Sequence, residues 1–450
     1  MTNSNTNGFN SSFGAIMAAA GSAVGLGNIW RFPYICGQYG GGAFLAVYIC
    51  FVFLIGMVLM MSEFVIGRRT KMTPAKAYVA LRPQRPVWRW VGILGLLTSF
   101  LILAIYLVIS GWTLNYFWDS VTGALGRIGG EAGAYEEHFG CFASGAVRPV
   151  VFLLIFLGLT AAIVIAGVEK GIERISKLLM PILLVLLVLI CVRSLTLDGA
   201  SKGLEYLFLP DFSKLTGEGV LAALGQALFS LSVGMGVMIV YGSYLPVDDN
   251  ILKSSMWITV CDTVIAILSG VAIFPAVFAC GQEPTGGPGL VYQVLPVVFN
   301  SLGGFGGIIS ITFFLLLTLA ALTSAISLLE ALTAWLNERG MKRMKGVVLV
   351  SLCVAVLAAL ASLSFGDGIL NNTHLYNILD KATGNYLPPI CALLTIIFFG
   401  WFMKKDDIMD ELSNHGTVKI GYFKVFYYFL ARIVAPAALL IVLVAGIVGK

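Results

Sequence analysis

The sequence predicts an all-α integral membrane protein with about 11 transmembrane helices. Of its 450 residues, 58% are hydrophobic and only 11% are charged, whereas a soluble domain typically carries about 25% charged residues. The apolar residues form continuous runs long enough to cross about 30 Å of hydrocarbon as helices, without the alternation of a transmembrane barrel. Two of these runs, the first and the sixth, are interrupted in the middle.

The first apolar segment, about residues 13–38, contains the first interruption. Three glycines lie in residues 21–27, and each lowers helix propensity by about 1 kcal/mol relative to Ala. Asn28 and Arg31 follow at a depth where polar groups are costly. We therefore expect two half-helices that meet at an unwound hinge near 23–27, where freed carbonyls can coordinate a cation. A glycine-rich packing face is the alternative interpretation.

The second interruption, Ser232–Gly236, lies in the sixth span. Two broken spans five apart indicate an inverted repeat of spans 1–5 and 6–10, with a binding site at the membrane midplane. We expect the first repeat at about 13–194, the second at about 217–402, and an extra helix at about 424–448. Spans 2 to 11 are predicted at about 44–67, 91–118, 148–167, 175–193, 219–241, 252–278, 308–335, 347–363, 386–402 and 426–448.

The loops after spans 2, 4, 8 and 10 are rich in Lys and Arg. The positive-inside rule places such loops in the cytoplasm, so we expect a cytoplasmic N-terminus and an external C-terminus at Lys450. The weakly apolar loop at 280–304 is expected to re-enter the membrane or to cap the protein.

Several function classes are disfavoured by composition. The eight Cys show no CxxC spacing, and the three His form no ligand cluster. The net charge of +5 gives no reason to expect a nucleic-acid partner. No metalloenzyme motif, nucleophile elbow or phosphate loop is found, so we expect neither an enzyme nor an organic cofactor.

Hydroxyl groups lie beside the second interruption and in span 8. Ser230 and Ser232 can ligate a cation or bind a substrate, although bonding back to the helix carbonyls is the alternative. In span 8, the hydroxyls of Thr323 and Ser324 share a helix face with the Ala320 carbonyl. Neutral oxygens suit a weakly held Na⁺, although such clusters also mark close helix packing.

Ionisable residues inside the apolar runs are candidates for function. Asp262 lies well inside span 7, where an acid usually faces a pathway. Glu63 and Glu330 fit the same argument, or else a buried structural network. Arg31 needs an anion, and Asp380 at the mouth of span 10 is its candidate partner in a gate.

These residues resemble the neurotransmitter:sodium symporter family over nearly the whole chain. The similarity is carried by the GxGNxWRFP pattern of residues 21–33, by Gly40–Phe44, Glu63, Trp112–Leu114 and the two broken spans. It implies a leucine-transporter-like fold. The predicted eleven spans, residues 234–236 and Asp262 resemble the bacterial branch that transports tyrosine, tryptophan and other hydrophobic amino acids. Gly171 and Pro181 resemble its motif for unwinding the inner part of span 5.

The resemblance also implies two Na⁺ sites, a substrate site and a gate. The first Na⁺ would be held by the Ala23 carbonyl, Asn28, Ser230, Asp262 and the substrate carboxylate. The second would be held by the carbonyls of Gly21, Val24 and Ala320 with the hydroxyls of Thr323 and Ser324. The substrate would contact Ser22, Ala23, Gly27, Ile102, Tyr106, Phe229, Ser232, Met235, Ser324 and Leu328. The outer gate would be Tyr106, Phe229, Arg31 and Asp380.

The chain departs from the family pattern at three places. Asp262 and Ala266 stand where chloride-dependent members have Asn and Ser, so we expect chloride independence. Thr6 stands near the place of the family's inner-gate Arg, while Glu338 keeps the acid, so Phe9 packing is expected to close the inner gate instead. Ser230 replaces a Thr and keeps the hydroxyl.

The expected function is therefore Na⁺-coupled symport of hydrophobic or aromatic L-amino acids of the Trp, Tyr, Phe and Leu class. The expected location is the bacterial cytoplasmic membrane, with alternating access as the mechanism. The partners are Na⁺, the amino acid and the bilayer. An amino-acid sensor or a channel on the same scaffold remains the alternative.

Overall fold

The structure, a computed structural model, describes residues 8–129, 132–281, 289–418 and 421–448. Within these residues the regular structure is helical, apart from one isolated bridge between Gly41 and Pro210. Thr6 and Lys450, to which two expectations were attached, lie outside the described residues.

Nine described helices are long and apolar enough to cross a membrane. They are spans 2–5 and 7–11, and in chain order they cover Gly42–Thr70, Pro86–Val121, Arg148–Ile165, Val168–Leu195, Ile251–Ala279, Gly303–Asn337, Arg343–Leu363, Asn371–Phe402 and Phe423–Ala445.

The two remaining spans are broken, as the sequence predicts. Span 1 consists of Ser12–Ala23 and Gly27–Gln38, which are bent by 48°. Span 6 consists of Gly217–Ser230 and Val237–Tyr244. With span 1 counted as one bent span, ten described spans are long and apolar enough to cross a membrane, and the two shorter helices of span 6 occupy the sixth position of the predicted order.

Shorter helices connect the spans. Their bounds are Pro74–Leu81, Ala132–Ala143, Ala200–Phe208, Leu290–Ser301 and Lys405–Leu412. The segment Leu290–Ser301 belongs to the loop that was expected to re-enter or cap. Its Tyr292 ring stacks on Phe139 with centroids 5.3 Å apart, so this part of the loop packs onto the helix 132–143.

Side-chain caps fix where several helices begin. Ser11 accepts from Gly14 N at 3.1 Å, Thr216 from Gly219 N at 3.1 Å, and Asn250 from Lys253 N at 3.0 Å. Such caps satisfy N–H groups that a helix leaves unpaired at its first turn. They set the starts of both broken spans and of span 7, the three elements that surround the centre.

Polar and apolar residues are distributed as a membrane requires. Spans 4 and 5 expose apolar side chains such as Leu154, Ile155, Leu184 and Val185, which suits contact with lipid. Buried polar residues such as Asn28, Ser230 and Asp262 lie where spans 1, 6 and 7 meet. The fold therefore encloses a polar group at its centre.

Candidate functional site

The break in span 1 allows neighbouring side chains to approach its backbone closely. An added Cβ at Gly25 would lie 2.3 Å from Ser324 Oγ and 2.7 Å from the Tyr106 hydroxyl. One at Gly27 would lie 3.0 Å from the Phe229 ring. Leu26 N donates to the Tyr106 hydroxyl at 3.1 Å. The glycines thus bring spans 3, 6 and 8 against the unwound backbone.

The break in span 6, residues 231–236, follows an unusual backbone path. Ser232, Gly234 and Gly236 all have left-handed φ values of 54°, 76° and 78°. Gly234 N donates to the Glu63 carboxylate at 2.7 Å, and Ser99 Oγ donates to Met235 O at 2.7 Å. Glu63 therefore supports the break from span 2, which favours the structural interpretation of this acid.

The two breaks are bonded to each other. Ser232 Oγ donates to Ser22 O at 2.9 Å, and Gln226 Nε2 donates to Gly27 O at 2.8 Å. Carbonyls released from the helix ladder need partners in a membrane interior. These bonds make the two interrupted helices one polar unit at the centre of the protein.

A buried carboxylate cluster lies beside the breaks. Asp262 accepts from Asn28 Nδ2 at 2.7 Å and from Ser230 Oγ at 2.5 Å. The Tyr48 hydroxyl lies 3.4 Å from the second Asp262 oxygen. Asp262 and Asn28 are fully buried. Among the described residues, Asp262 forms no ion pair, so it is a buried acid with donors but no cationic partner.

A second group of oxygens lies where span 8 meets span 1. Thr323 Oγ1 lies 2.9 Å from Ala320 O and 3.5 Å from Val24 O. Ser324 Oγ lies 3.4 Å from Gly21 O and 3.0 Å from Ser22 O. The three carbonyls and two hydroxyls that the family resemblance implies are therefore gathered at one place.

A small cavity of about 20 Å³ lies between these two groups. All ten side chains or glycines expected to contact a substrate line it, together with Gly25 and Ser230. The ten are Ser22, Ala23, Gly27, Ile102, Tyr106, Phe229, Ser232, Met235, Ser324 and Leu328.

A larger cavity of about 350 Å³ continues from this centre toward one face of the protein. Tyr106 and Phe229 line both cavities and so lie between them. Arg31 and Asp380 also line the larger cavity, but they form no ion pair in the part of the chain described. The Arg31 guanidinium instead lies 5.2 Å from the Phe229 ring centroid. The four residues expected to form the gate all line the larger cavity, and Arg31 and Asp380 are not in contact as an ion pair.

The opposite end of span 1 is sealed by the N-terminal segment. Phe9 is buried, its N donates to Tyr244 O at 3.0 Å, and its ring meets the edge of Tyr241. Asn10 N and Ser11 Oγ both donate to the Glu173 carboxylate, at 2.8 and 3.1 Å. Phe9 packs as the sequence analysis expects, and Glu173 is an additional anchor.

Two further expected residues have structural partners near this end. Glu330 forms an ion pair with Arg343 at 2.5 Å and accepts a hydrogen bond from the Tyr244 hydroxyl at 2.7 Å. Of the two interpretations that the sequence allowed for Glu330, these contacts favour the buried structural network. Glu338 accepts from Thr73 N at 3.0 Å and from Thr73 Oγ1 at 2.6 Å.

Span 5 is not unwound between Gly171 and Pro181. Residues Val168–Glu173 form a π-helical turn that continues into the helix Arg174–Leu195.

Sequence reasoning missed Tyr48 and Gln226 as partners of the centre. A tyrosine hydroxyl buried in an apolar span usually has a hydrogen-bond partner, so Tyr48 carried a weak signal. Gln226 lies beside the named serines of span 6 but was not singled out.

Known proteins and a family model match the chain over most of its length. The model of the sodium:neurotransmitter symporter family matches residues 6–129 and 135–450. An uncharacterized sodium-dependent transporter of Bacillus subtilis (strain 168), YhdH, is 39% identical over 96% of each chain. A second such transporter, from Haemophilus influenzae, is 33% identical over 96% of each chain.

A solved structure shares the fold. The crystal structure of MhsT in complex with L-phenylalanine matches with a TM-score of 0.90 and 39% identity, over 97% of this chain and 99% of that one. These relatives are transporters and not enzymes, which confirms that part of the sequence analysis. The chain belongs to the sodium:neurotransmitter symporter family.

Proposed function

We propose that this chain is a symporter that couples Na⁺ to the movement of a hydrophobic or aromatic L-amino acid. The observation that carries the proposal is the Asp262 cluster. An ionised carboxylate is expensive to bury unless a cation or metal compensates it. Asn28, Ser230 and Tyr48 supply dipoles but no charge, so a monovalent cation completes the site.

Two Na⁺ ions are proposed, one at each group of oxygens. At the first, Asn28 Oδ1 now faces Gly25 N at 3.4 Å, and Na⁺ ligation would require the amide to present this oxygen to the ion. At the second, the carbonyls of Gly21, Val24 and Ala320 and two hydroxyls supply only neutral oxygens, as a weakly held Na⁺ requires.

The substrate class is proposed from the cavity walls. Ile102, Phe229, Met235 and Leu328 offer an apolar lining, and a bound L-phenylalanine accompanies the similar fold of MhsT. The present cavity of about 20 Å³ must widen to accept such a side chain, and the flexible Met235 makes that possible. The substrate carboxylate would bind beside Tyr106 and the first Na⁺.

Sharing a carboxylate between substrate and Na⁺ provides the coupling. Each ligand then strengthens the binding of the other by the same factor, because linkage is reciprocal. The free energy for transport comes from the Na⁺ concentration gradient and from the membrane potential, which contributes about 2.3 kcal/mol per charge for each 100 mV.

Alternating access is proposed from the two ends of span 1. The Arg31 end opens into a cavity, and the Phe9 end is sealed. The basic loops would place the Phe9 end in the cytoplasm. The repeats 13–194 and 217–402 would then move against each other, with 424–448 as the extra helix, in a bacterial cytoplasmic membrane.

The test is binding of the twenty amino acids to purified protein in NaCl, KCl and sodium gluconate, followed by uptake into proteoliposomes. Binding of Phe, Tyr, Trp or Leu only with Na⁺, and uptake driven by a Na⁺ gradient, are expected. Binding that ignores Na⁺ would contradict the coupling. Na⁺-dependent binding without uptake would favour the amino-acid sensor.

Chloride independence is tested at Asp262. The fixed carboxylate takes the place of the anion, since Ala266 offers no hydroxyl ligand. We expect Asp262→Asn either to abolish uptake or to make it respond to chloride, measured in proteoliposomes with chloride or gluconate. Unchanged, chloride-free uptake by the variant would contradict this role of Asp262.

A further inference from the structure

A second cavity, remote from the central site, lies where spans 2 and 10 end. It has a volume of about 430 Å³. Its walls come from the end of span 2, the segment 80–84 and the residues just after Phe402. Because the walls include the ends of two membrane spans, the cavity lies at a membrane–water interface. The central transport mechanism does not use it.

The cavity has an excess of positive charge. Arg69, Arg82 and Lys404 line it, against the single carboxylate of Asp407. Arg69 is already paired with Asp407 at 2.8 Å and with Asp410 at 2.7 Å. Two cationic side chains therefore remain without a compensating acid.

Those two side chains are available to a ligand. Arg82 donates through Nε to Phe402 O, which fixes the guanidinium and leaves its two terminal nitrogens free of described partners. Lys404 is exposed and forms no ion pair within the described ranges. A fixed guanidinium beside a mobile ammonium is a good arrangement for binding a phosphate group.

The surroundings of the cavity suit a lipid. Arg85 lies 5.1 Å from the Phe402 ring centroid, and Trp88 packs on the same ring at 4.7 Å, so an aromatic cluster lies close in sequence to the lining residues Arg82 and Lys404. Val87 and Trp90 leave 65% and 67% of their surfaces exposed. Exposed aromatic residues at span ends typically lie at the headgroup level of a bilayer.

We propose that this cavity binds the phosphate-bearing headgroup of an anionic lipid, through Arg82 and Lys404, with the acyl chains beside Val87 and Trp90. Basic pockets between membrane helices commonly recognise such headgroups. A free phosphate offers the same anion, but it would gain nothing from the exposed apolar side chains next to the cavity.

The test compares lipid retention by intact protein variants. The protein is reconstituted in nanodiscs of phosphatidylcholine with phosphatidylglycerol, and retained lipid is counted by native mass spectrometry. Lys404→Gln removes a charge that has no described partner, so folding should be unaffected. The double variant Arg82→Gln/Lys404→Gln removes both. The control, Lys342→Gln/Lys345→Gln, removes two exposed charges from another basic loop.

The expected result is a loss of phosphatidylglycerol retention of about fivefold for each charge removed at the cavity, because one basic side chain near an anionic surface contributes about 1 kcal/mol. The control should retain the lipid as wild type does. Equal loss in the control, or no loss in Lys404→Gln, would overturn the proposal. A parallel arm with inorganic phosphate distinguishes the sources, since retention of phosphate without phosphatidylglycerol would overturn the lipid assignment.

Discussion

The two broken helices are interrupted for different physical reasons. In span 1, Gly25 and Gly27 have ordinary φ values, and their lack of a side chain makes room for neighbours. In span 6, Ser232, Gly234 and Gly236 occupy the left-handed region, where L-residues with a side chain are strained. In span 1, glycine therefore allows neighbouring side chains to approach the backbone closely. In span 6, glycine allows the backbone to adopt left-handed φ values.

Because of this difference, the glycines of span 1 should matter for ligand binding and those of span 6 for folding. The space beside Gly25 is filled by Ser324 and Tyr106, two residues of the proposed substrate site. The left-handed φ of Gly236 instead determines how the second half of span 6 starts, because the helix Val237–Tyr244 begins directly after this residue. Substitution of Gly25 should therefore affect ligand affinity, and substitution of Gly236 should affect the stability of the unliganded protein.

The largest effect is expected for Gly25→Ala. Its Cβ would lie 2.3 Å from Ser324 Oγ, so Ser324, a residue of the proposed second Na⁺ site, and the Tyr106 hydroxyl must shift. Overpacking of this kind costs about 1–3 kcal/mol, which corresponds to binding weakened by about 5- to 150-fold. The measurement is Na⁺-dependent amino-acid binding to purified protein.

The matched control for that experiment is Gly225→Ala in span 6. The nearest atom to its Cβ would be Gly384 O, at 3.8 Å, which is an ordinary contact. We expect wild-type affinity for this variant. Wild-type affinity for Gly25→Ala as well would show that close approach is not the reason for glycine in span 1.

A smaller effect, on stability, is expected for Gly236→Ala. Its φ of 78° costs an L-residue about 1–2 kcal/mol, and its Cβ would also lie 3.0 Å from the Pro74 ring. The melting temperature of the unliganded protein should fall. Gly217→Ala is the control, because nothing lies within 4 Å of its Cβ. Equal melting temperatures for the two variants would refute the backbone argument.

The sequence predicted the positions of both breaks, because glycines and polar residues inside an apolar run are costly unless a site needs them. The residues themselves also pointed to Asn28, Asp262 and the span 8 hydroxyls, whereas the residues that line the central cavity were expected only from the family resemblance. The sequence did not predict why each glycine is present, since that depends on φ and on neighbours distant in sequence.

Features that depend on conformation were also beyond sequence reasoning. Arg31 and Asp380 were expected to pair in a gate, and the family resemblance implied unwinding of the inner part of span 5, but the described residues show neither that ion pair nor an unwound segment there. The structure has one state, with Arg31 beside Phe229 and Glu173 holding the N-terminal segment. Glu173 carried no signal because its partners are more than 160 residues away in sequence.

The smallest and most discriminating effect concerns Ser232, the residue in span 6 that is left-handed without being glycine. Its φ of 54° lowers the free energy of unfolding by about 1–2 kcal/mol. The hydrogen bond that its hydroxyl donates to Ser22 O raises it by about 0.5–1.5 kcal/mol. Ser232→Gly removes both contributions, so its melting temperature should stay close to that of wild type.

Ser232→Ala keeps the unfavourable φ and loses only the hydrogen bond. The Ser22 carbonyl still accepts from Ser324 Oγ at 3.0 Å, so no buried group is left without a partner, and the loss should be about 1 kcal/mol. The Ala variant should therefore melt below the Gly variant, the reverse of the order that helix propensity predicts. If Ala were the more stable of the two, the left-handed path would not be what interrupts span 6, and the two breaks would share one cause.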